Sequence, residues 1–138
     1  MMMAKPLAAL LVLALLVGCV QTSSTQLSRS EAMIHVDVPP ACGPAGASQV
    51  AMQAAATTTL RQGFERFQMY DGQQYSDVSV VPQPLAPGGA LVIRRHSMNL
   101  LVKMTNPGDA GYRDGLDARA ILGDDWETRM NEDITSCR

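Results

Sequence analysis

The chain has 138 residues, with 11 basic against 13 acidic side chains and only two histidines. A formal charge of −2 does not provide the basic surface with which proteins bind nucleic-acid phosphates. Aromatic residues make up 4% of the chain, which argues against the aromatic platforms typical of polysaccharide-binding surfaces. The sequence contains no glycine-rich phosphate loop, no G-x-S-x-G and no H-E-x-x-H motif, so it points to no common catalytic class.

Residues 1–18 have the pattern of a secretory signal peptide. Lys5 supplies a positive charge, and residues 7–17 (LAALLVLALLV) form an uncharged apolar run. These eleven residues would span roughly 17 Å as a helix, which is too short for the ~30 Å hydrocarbon core of a bilayer. We therefore expect a cleaved signal instead of a membrane-spanning helix.

Leu16, Val17, Gly18 and Cys19 follow the apolar run and together resemble the lipobox of bacterial lipoproteins. The resemblance covers the first 19 residues and implies a diacylglycerol on Cys19, cleavage after Gly18 and acylation of the new amine. Several acyl chains anchor a protein stably, whereas one chain binds only marginally. Because Val20 replaces the Asp that commonly retains such proteins in the inner membrane, the outer membrane facing the periplasm is favoured. The alternative is an ordinary secreted protein, but the A-x-A-like cleavage site that it needs is missing.

The domain organisation follows from composition. We expect a signal peptide over 1–18, a lipidated N-terminus with a flexible tether over 19–31, and a single domain over 32–138. Residues 21–31 (QTSSTQLSRSE) are polar and lack an apolar period, as is typical of tethers. Without the signal, ten basic and thirteen acidic residues leave a formal charge of −3 on 120 residues, which suffice for one core.

Cys42 and Cys137 are the two cysteines that remain after the lipidation site. A pair of cysteines in an oxidising compartment predicts a disulfide. The chain-entropy treatment assigns a loop of about 95 residues roughly 4–5 kcal/mol of stabilisation as an upper value. The alternative is a redox-active or nucleophilic thiol, which no C-x-x-C spacing supports.

The domain is predicted to be α+β, with a small, mostly antiparallel sheet and helices packed on one face. Residues 32–38 alternate apolar and polar as a half-buried strand does, and a breaker-free stretch after Cys42 predicts a helix that ends at Gly63. The remaining predicted elements are strands 64–71 and 77–81 with a turn at 71–72, a loop over 82–89, a hairpin of 90–94 and 100–105 around a turn at 95–99, and helices over 114–122 and from Asp124 onward.

Two pairs of residues are candidate ligands or catalytic groups. His35 and Asp37 are two apart on a strand and so share a face, as a metal pair or an acid–base pair would, although a solvated strand face is the commoner situation. His96 and Met98 are soft-metal ligand types, but they fall in a predicted turn with no third ligand nearby. The methionines are spread along the chain, which favours core filling over copper binding.

Arg94 and Arg95 form the only compact basic pair and could contact an anionic lipid, peptidoglycan or a partner protein. Residues 115–126 (GLDARAILGDDW) resemble small uncharacterised envelope lipoproteins, which implies no activity. We therefore expect a non-enzymatic binding or structural role, with the membrane and an envelope protein or the cell wall as partners. No cofactor is expected beyond the covalent lipid. The alternative is a small envelope enzyme or ligand-binding lipoprotein with its site around His35 and Asp37.

Overall fold

A computed structural model of the chain describes residues 20–82 and 90–137. For Asp71, 75–82 and 90–94 it describes the backbone alone. The predicted signal peptide, the lipobox with Cys19, and residues 83–89 of the predicted loop lie outside the described residues.

The fold is α+β, as predicted, with an antiparallel sheet. The elements of the described residues are β1 (Gln21–Gln26), β2 (Glu31–Val38), a 3-10 turn (Pro40–Cys42), α1 (Gly43–Arg61), β3 (Arg66–Pro82), β4 (Ala90–Thr105), a 3-10 turn (Tyr112–Asp114), β5 (Leu116–Asp117), α2 (Ala118–Leu122) and α3 (Trp126–Arg129). The strand order in the sheet is β1-β2-β4-β3-β5.

The core lies between one face of the sheet and α1. Alternate residues of β2 and β4 face the helix, so their apolar side chains leave water while the residues between them face outward. The small residues of α1 let the helix approach the sheet closely. The buried apolar residues at this interface include Ala32, Ile34, Val36 and Val38 of β2, Leu100, Val102 and Met104 of β4, Phe67 of β3, and Ala47, Val50, Ala51 and Ala54 of α1.

The predicted flexible tether over 19–31 is wrong for residues 21–26. These residues form β1, which pairs with β2 from Gln21 opposite Asp37 to Gln26 opposite Ala32. All six β1 residues are exposed, so the strand carries no alternating pattern, and its backbone pairing with β2 holds it in place. Val20 before it is only 7% exposed and belongs to the core. The folded domain therefore begins at Val20 instead of residue 32.

The predicted turn at Asp71-Gly72 is also wrong. The two strands predicted on either side of it are a single strand, β3, whose pairing with β4 shifts register between Tyr70 and Gln73. Asp-Gly favours an irregular backbone in a bulge as well as in a turn, so the local signal does not distinguish the two. Here the chain continues along the same partner strand after the irregularity.

The hairpin predicted within residues 90–105 does not form, because 95–99 is not a turn. β4 is continuous over 16 residues and pairs with β2 on one side and β3 on the other. The antiparallel partner of residues 90–94 is the end of β3. Polar residues such as Ser97 and Asn99 are paired opposite outward-facing residues of β2. They are therefore polar because they lie on the outward face of the sheet, not because they form a loop.

The C-terminal helices are shorter than predicted. Asp117 caps α2, since its Oδ1 accepts hydrogen bonds from the backbone N–H groups of Arg119 and Ala120, and the helix therefore begins at Ala118 rather than at residue 114. Gly123 ends it with a φ of 93°, as expected of a glycine in that place. The second helix begins at Trp126 without a side-chain cap.

The predicted disulfide is confirmed. Cys42 and Cys137 are bonded with their Cα atoms 5.8 Å apart, which ties the end of the chain to the start of α1. The bridge lies at the end of the sheet where β2 finishes and β1 starts, since Cys42 follows β2 after the short 3-10 turn.

Candidate functional site

The sheet face opposite α1 carries the residues with the clearest potential for binding. We call it the open face, because its side chains are exposed or half-buried instead of packed under the helix. It consists of Met33, His35 and Asp37 of β2, Asn99, Leu101 and Lys103 of β4, and Gln68 and Tyr70 of β3.

An apolar row crosses the open face. Met33 pairs with Leu101, and Leu101 pairs with Tyr70, so the three residues lie side by side on β2, β4 and β3. Met33 is 46% exposed and Tyr70 is 42% exposed, with Leu101 half-buried between them. Adjacent strands are about 4.8 Å apart, so the row is about 10 Å long between its outer backbones. The sequence analysis did not identify this row. The available signal was Met33, an apolar residue at one of the outward-facing positions of β2.

Polar residues border the row on both sides. On one side His35 Nδ1 is hydrogen-bonded to Oδ1 of its cross-strand partner Asn99. On the other side Lys103 lies between Glu31 and Gln68 in the register of the three strands. The arrangement is an apolar centre with a polar margin.

His35 and Asp37 share a face, as the sequence predicts, but they do not pair with each other. Asp37 forms a salt bridge with Arg95 at 3.1 Å, while His35 bonds to Asn99. Both partners come from β4, so each predicted site residue joins β2 to β4. Arg94 pairs in register with Val78 on β3, and its side chain lies outside the described part.

Two clefts formed by the described residues lie away from His35 and Asp37. A cleft of about 500 Å³ lies at the opposite end of the sheet, where Phe64, Lys103 and Asn106 line it together with Thr105, whose buried hydroxyl has no hydrogen-bond partner. A second cleft of about 460 Å³ adjoins Trp126. Neither is lined by His35 or Asp37. Within 20–82 and 90–137, no group of three or more His, Cys, Asp or Glu side chains is placed to hold a metal ion.

Met98 and His96 lie in β4 and not in a turn. Met98 is partly buried and packs against the core, as the dispersal of the methionines led us to expect. The two residues are on the face of β4 that carries Leu100 and Val102, away from the open face.

Tyr112 has the one ionisation that is clearly perturbed in the parts of the chain described above. Its hydroxyl donates a hydrogen bond to Glu65 Oε2 at 2.8 Å, and this bond, aided by burial and the Glu65 charge, raises the pKa of Tyr112 above 10.0. Its ring also lies 4.6 Å from the Arg66 guanidinium. These contacts join the Tyr112–Asp114 turn to the start of β3 and are structural.

No family model, curated protein or solved structure matches the chain. Among the helices that the structure describes, none combines the length and apolarity needed to cross a bilayer.

Proposed function

We propose that the protein is a lipid-anchored domain of the bacterial cell envelope that binds a partner protein through its open face and catalyses no reaction. The lipobox at Leu16–Cys19 supports the anchor. The apolar row of Met33, Leu101 and Tyr70 is the single observation that supports binding.

The composition of the open face fits a protein partner. Protein interfaces combine an apolar centre rich in aromatic and methionine side chains with a polar, hydrated margin. The row supplies Met33 and Tyr70 as that centre, and His35, Asn99 and Lys103 supply the margin. Four large apolar side chains are exposed in the described residues, and two of them belong to this one row, which makes it a patch instead of scattered apolar residues.

The alternative of an enzyme or small-ligand site around His35 and Asp37 has less support. A small-molecule site is normally concave and draws several polar groups together. His35 is exposed, Asp37 is engaged by Arg95, and the clefts near Phe64 and Trp126 do not include either residue. We therefore favour binding on a flat face over chemistry in a pocket.

Site-specific photocrosslinking in native membranes tests the proposal. A photoreactive phenylalanine analogue replaces Met33 in one full-length variant and Leu116 in a matched control, because Leu116 is 40% exposed but lies on β5, outside the open face. We expect a discrete protein adduct from position 33 and none from position 116.

A second substitution tests whether the adduct from position 33 depends on the open face. Leu101→Glu places a charge in the centre of the row without adding bulk to the core, since Leu101 is on the outward side of β4. Loss of the position-33 adduct in the Leu101→Glu background supports the open face as the binding surface. Equal adducts from positions 33 and 116, or an adduct unaffected by Leu101→Glu, would count against it.

A further inference from the structure

β3 and β4 continue as a two-stranded ribbon beyond the rest of the sheet. β2 ends with Val38 opposite His96, whereas β3 and β4 go on pairing from Asp77 opposite Arg95 to Pro82 opposite Ala90. These six pairs extend the ribbon by about 17 Å at roughly 3.4 Å per residue. We call residues 77–82 and 90–95 the ribbon.

The first two turns of α1 contact β3 just before the start of the ribbon. The Gln74 side chain donates hydrogen bonds to the Ser48 hydroxyl at 2.8 Å and to the Pro44 carbonyl at 3.5 Å. These contacts mark where the beginning of the helix crosses β3, three residues before Asp77.

The ribbon leaves the domain at the end where the lipid anchor would attach. Gln21 pairs with Asp37 near the end of β2, and Val20 is buried just before it. Cys19 is the next residue toward the N-terminus, so no spacer separates the predicted lipidation site from the folded domain. Both the acylated residue and the ribbon therefore belong to the same end of the sheet.

The composition of the ribbon differs between its root, the end next to the rest of the sheet where Asp77 pairs with Arg95, and its outer part. Its outer ten residues, 78–82 and 90–94, comprise eight apolar residues together with Ser79 and Arg94. Its charges are concentrated at the root, where Asp77 pairs with Arg95 and Arg94 follows. Consecutive cross-strand residue pairs fall on opposite faces of the ribbon, and apolar residues occur in pairs on both faces.

The backbone sets how deeply such a ribbon can enter a bilayer. Among the described residues, neither edge of the ribbon has a strand partner, and hydrocarbon penalises unpaired N–H and C=O groups by several kcal/mol each. A ribbon with such edges therefore cannot be buried upright in the acyl region. It can lie along the boundary between headgroups and acyl chains, where water and headgroups satisfy the edges.

We infer that the ribbon is a second membrane attachment, lying in the interface of the bilayer that holds the Cys19 lipid. The inference depends on the proposed lipid anchor, which brings the ribbon to that surface. The root of the ribbon, with Arg94 and Arg95, would then lie at the level of anionic headgroups, a placement that attracts basic residues to membranes. The predicted contact of this basic pair with anionic lipid belongs to the same surface.

Depth-dependent quenching tests this inference in the full acylated chain. Because the predicted acylation would occupy the Cys19 thiol and Cys42 is bonded to Cys137, a new cysteine would be the single free thiol of the acylated protein. Val80→Cys carries an environment-sensitive fluorophore, and Leu91→Cys repeats the measurement on the other strand. Each variant is reconstituted into vesicles of phosphatidylethanolamine and phosphatidylglycerol with phosphatidylcholine brominated on its acyl chains. Ala110→Cys, exposed at the opposite end of the sheet, is the control.

We expect the bromolipid to lower fluorescence at both ribbon positions by roughly a factor of two and to leave the Ala110 position unchanged. Intact mass of the same samples shows whether the chain is acylated. Unquenched ribbon labels on an acylated chain would overturn the ribbon inference and leave the anchor standing. A chain without acyl groups would overturn the anchor. Concentration-dependent self-quenching between ribbon labels without bromolipid quenching would assign the ribbon to a second copy and would also overturn the inference.

Discussion

Gly46 is the most tightly enclosed glycine of the described residues. It lies in the first turns of α1 next to the disulfide, and a Cβ at this position would be 2.7 Å from the Cβ of Cys42 and 3.3 Å from that of Cys137. The first distance is shorter than any normal contact and involves an atom held by the helix start. The glycine therefore makes room for the bridge, at some expense in helix propensity.

Gly46→Ala is expected to destabilise the domain by about 1–3 kcal/mol, because the strain of the added methyl group exceeds the ~1 kcal/mol that alanine gains over glycine in a helix. Urea unfolding of the oxidised protein measures the change. Gln49→Ala, on the exposed side of the same helix, is the control and should stay within about 0.5 kcal/mol of the parent protein. A Gly46→Ala protein as stable as its parent would show that the start of α1 can shift away from Cys42.

Among the site residues, the sequence predicts which ones share a face but not their partners. His35 and Asp37 are on the outward side of β2 because strand residues alternate, which the residue spacing alone establishes. Their bonds to Asn99 and Arg95 join residues 64 and 58 positions apart in the chain. Such partners depend on the register between β2 and β4, for which a single sequence has no direct signal.

At the scale of secondary structure, β1 shows how an element can form without an apolar pattern. Its residues are exposed on both faces, so hydrophobic periodicity has nothing to detect. What holds it is the ladder with β2, together with the turn in which the N–H groups of Leu27 and Ser28 donate to the Glu31 carbonyl at 2.9 and 3.2 Å. The strand also covers one edge of β2 that would otherwise be open to pairing with another chain.

Amide hydrogen exchange distinguishes a strand from a tether in residues 21–26. The N–H groups of β1 that pair with β2 should exchange at least about tenfold more slowly than the same amides in the urea-unfolded chain, because they exchange only after local opening. The mature full-length protein is used, with the unfolded state as the reference. If all these amides exchanged at the rate of the unfolded chain, the result would contradict the strand and support the flexible tether that composition predicts.

The two wrong turn predictions, one in β3 and one in β4, have a common origin. Asp71-Gly72 and residues 95–99 both contain residues that favour turns, and the local sequence predicts chain reversal at each. In the structure the first is a register shift within a strand and the second is part of a central strand with partners on both sides. Long-range pairing therefore decides between a turn and an irregular strand that are locally equivalent.

On the scale of the whole molecule, the disulfide and Val20, the residue next to the predicted lipidation site, lie at one end of the sheet. The bridge joins Cys42 to Cys137, and the predicted acylation site directly precedes the buried Val20. A domain attached this closely has little freedom to rotate above the bilayer. The anchor would therefore orient the domain as well as localise it.

Intact mass of the mature protein purified from membranes tests the anchor and the bridge together. We expect the mass of residues 19–138 plus acyl groups, no alkylation before reduction and two alkylated thiols after it, because Cys42 and Cys137 are bonded. Reduction should also lower the free energy of unfolding, by up to about 4–5 kcal/mol for a loop of this length.

Two results would contradict this expectation. A mature mass without acyl groups would reject the lipid anchor, and alkylation of Cys42 or Cys137 before reduction would reject the bridge in the envelope protein. Alkylation of the unfolded protein under the same conditions, with and without reductant, is the control that reports whether both thiols are accessible to the reagent.

The sequence by itself determined the α+β class, the inward faces of β2 and β4, the helix ending near Gly63 and the cysteine pairing. Each of these depends on local periodicity, on a glycine suited to end a helix, or on there being one available pair. The tertiary structure alone decided that 21–26 is a strand, that β3 and β4 run on past Val38 as the ribbon, and that Met33, Leu101 and Tyr70 meet in one row. The physical reason is that strand pairing joins residues far apart in the chain through backbone hydrogen bonds, whose N–H and C=O groups every residue except proline supplies alike.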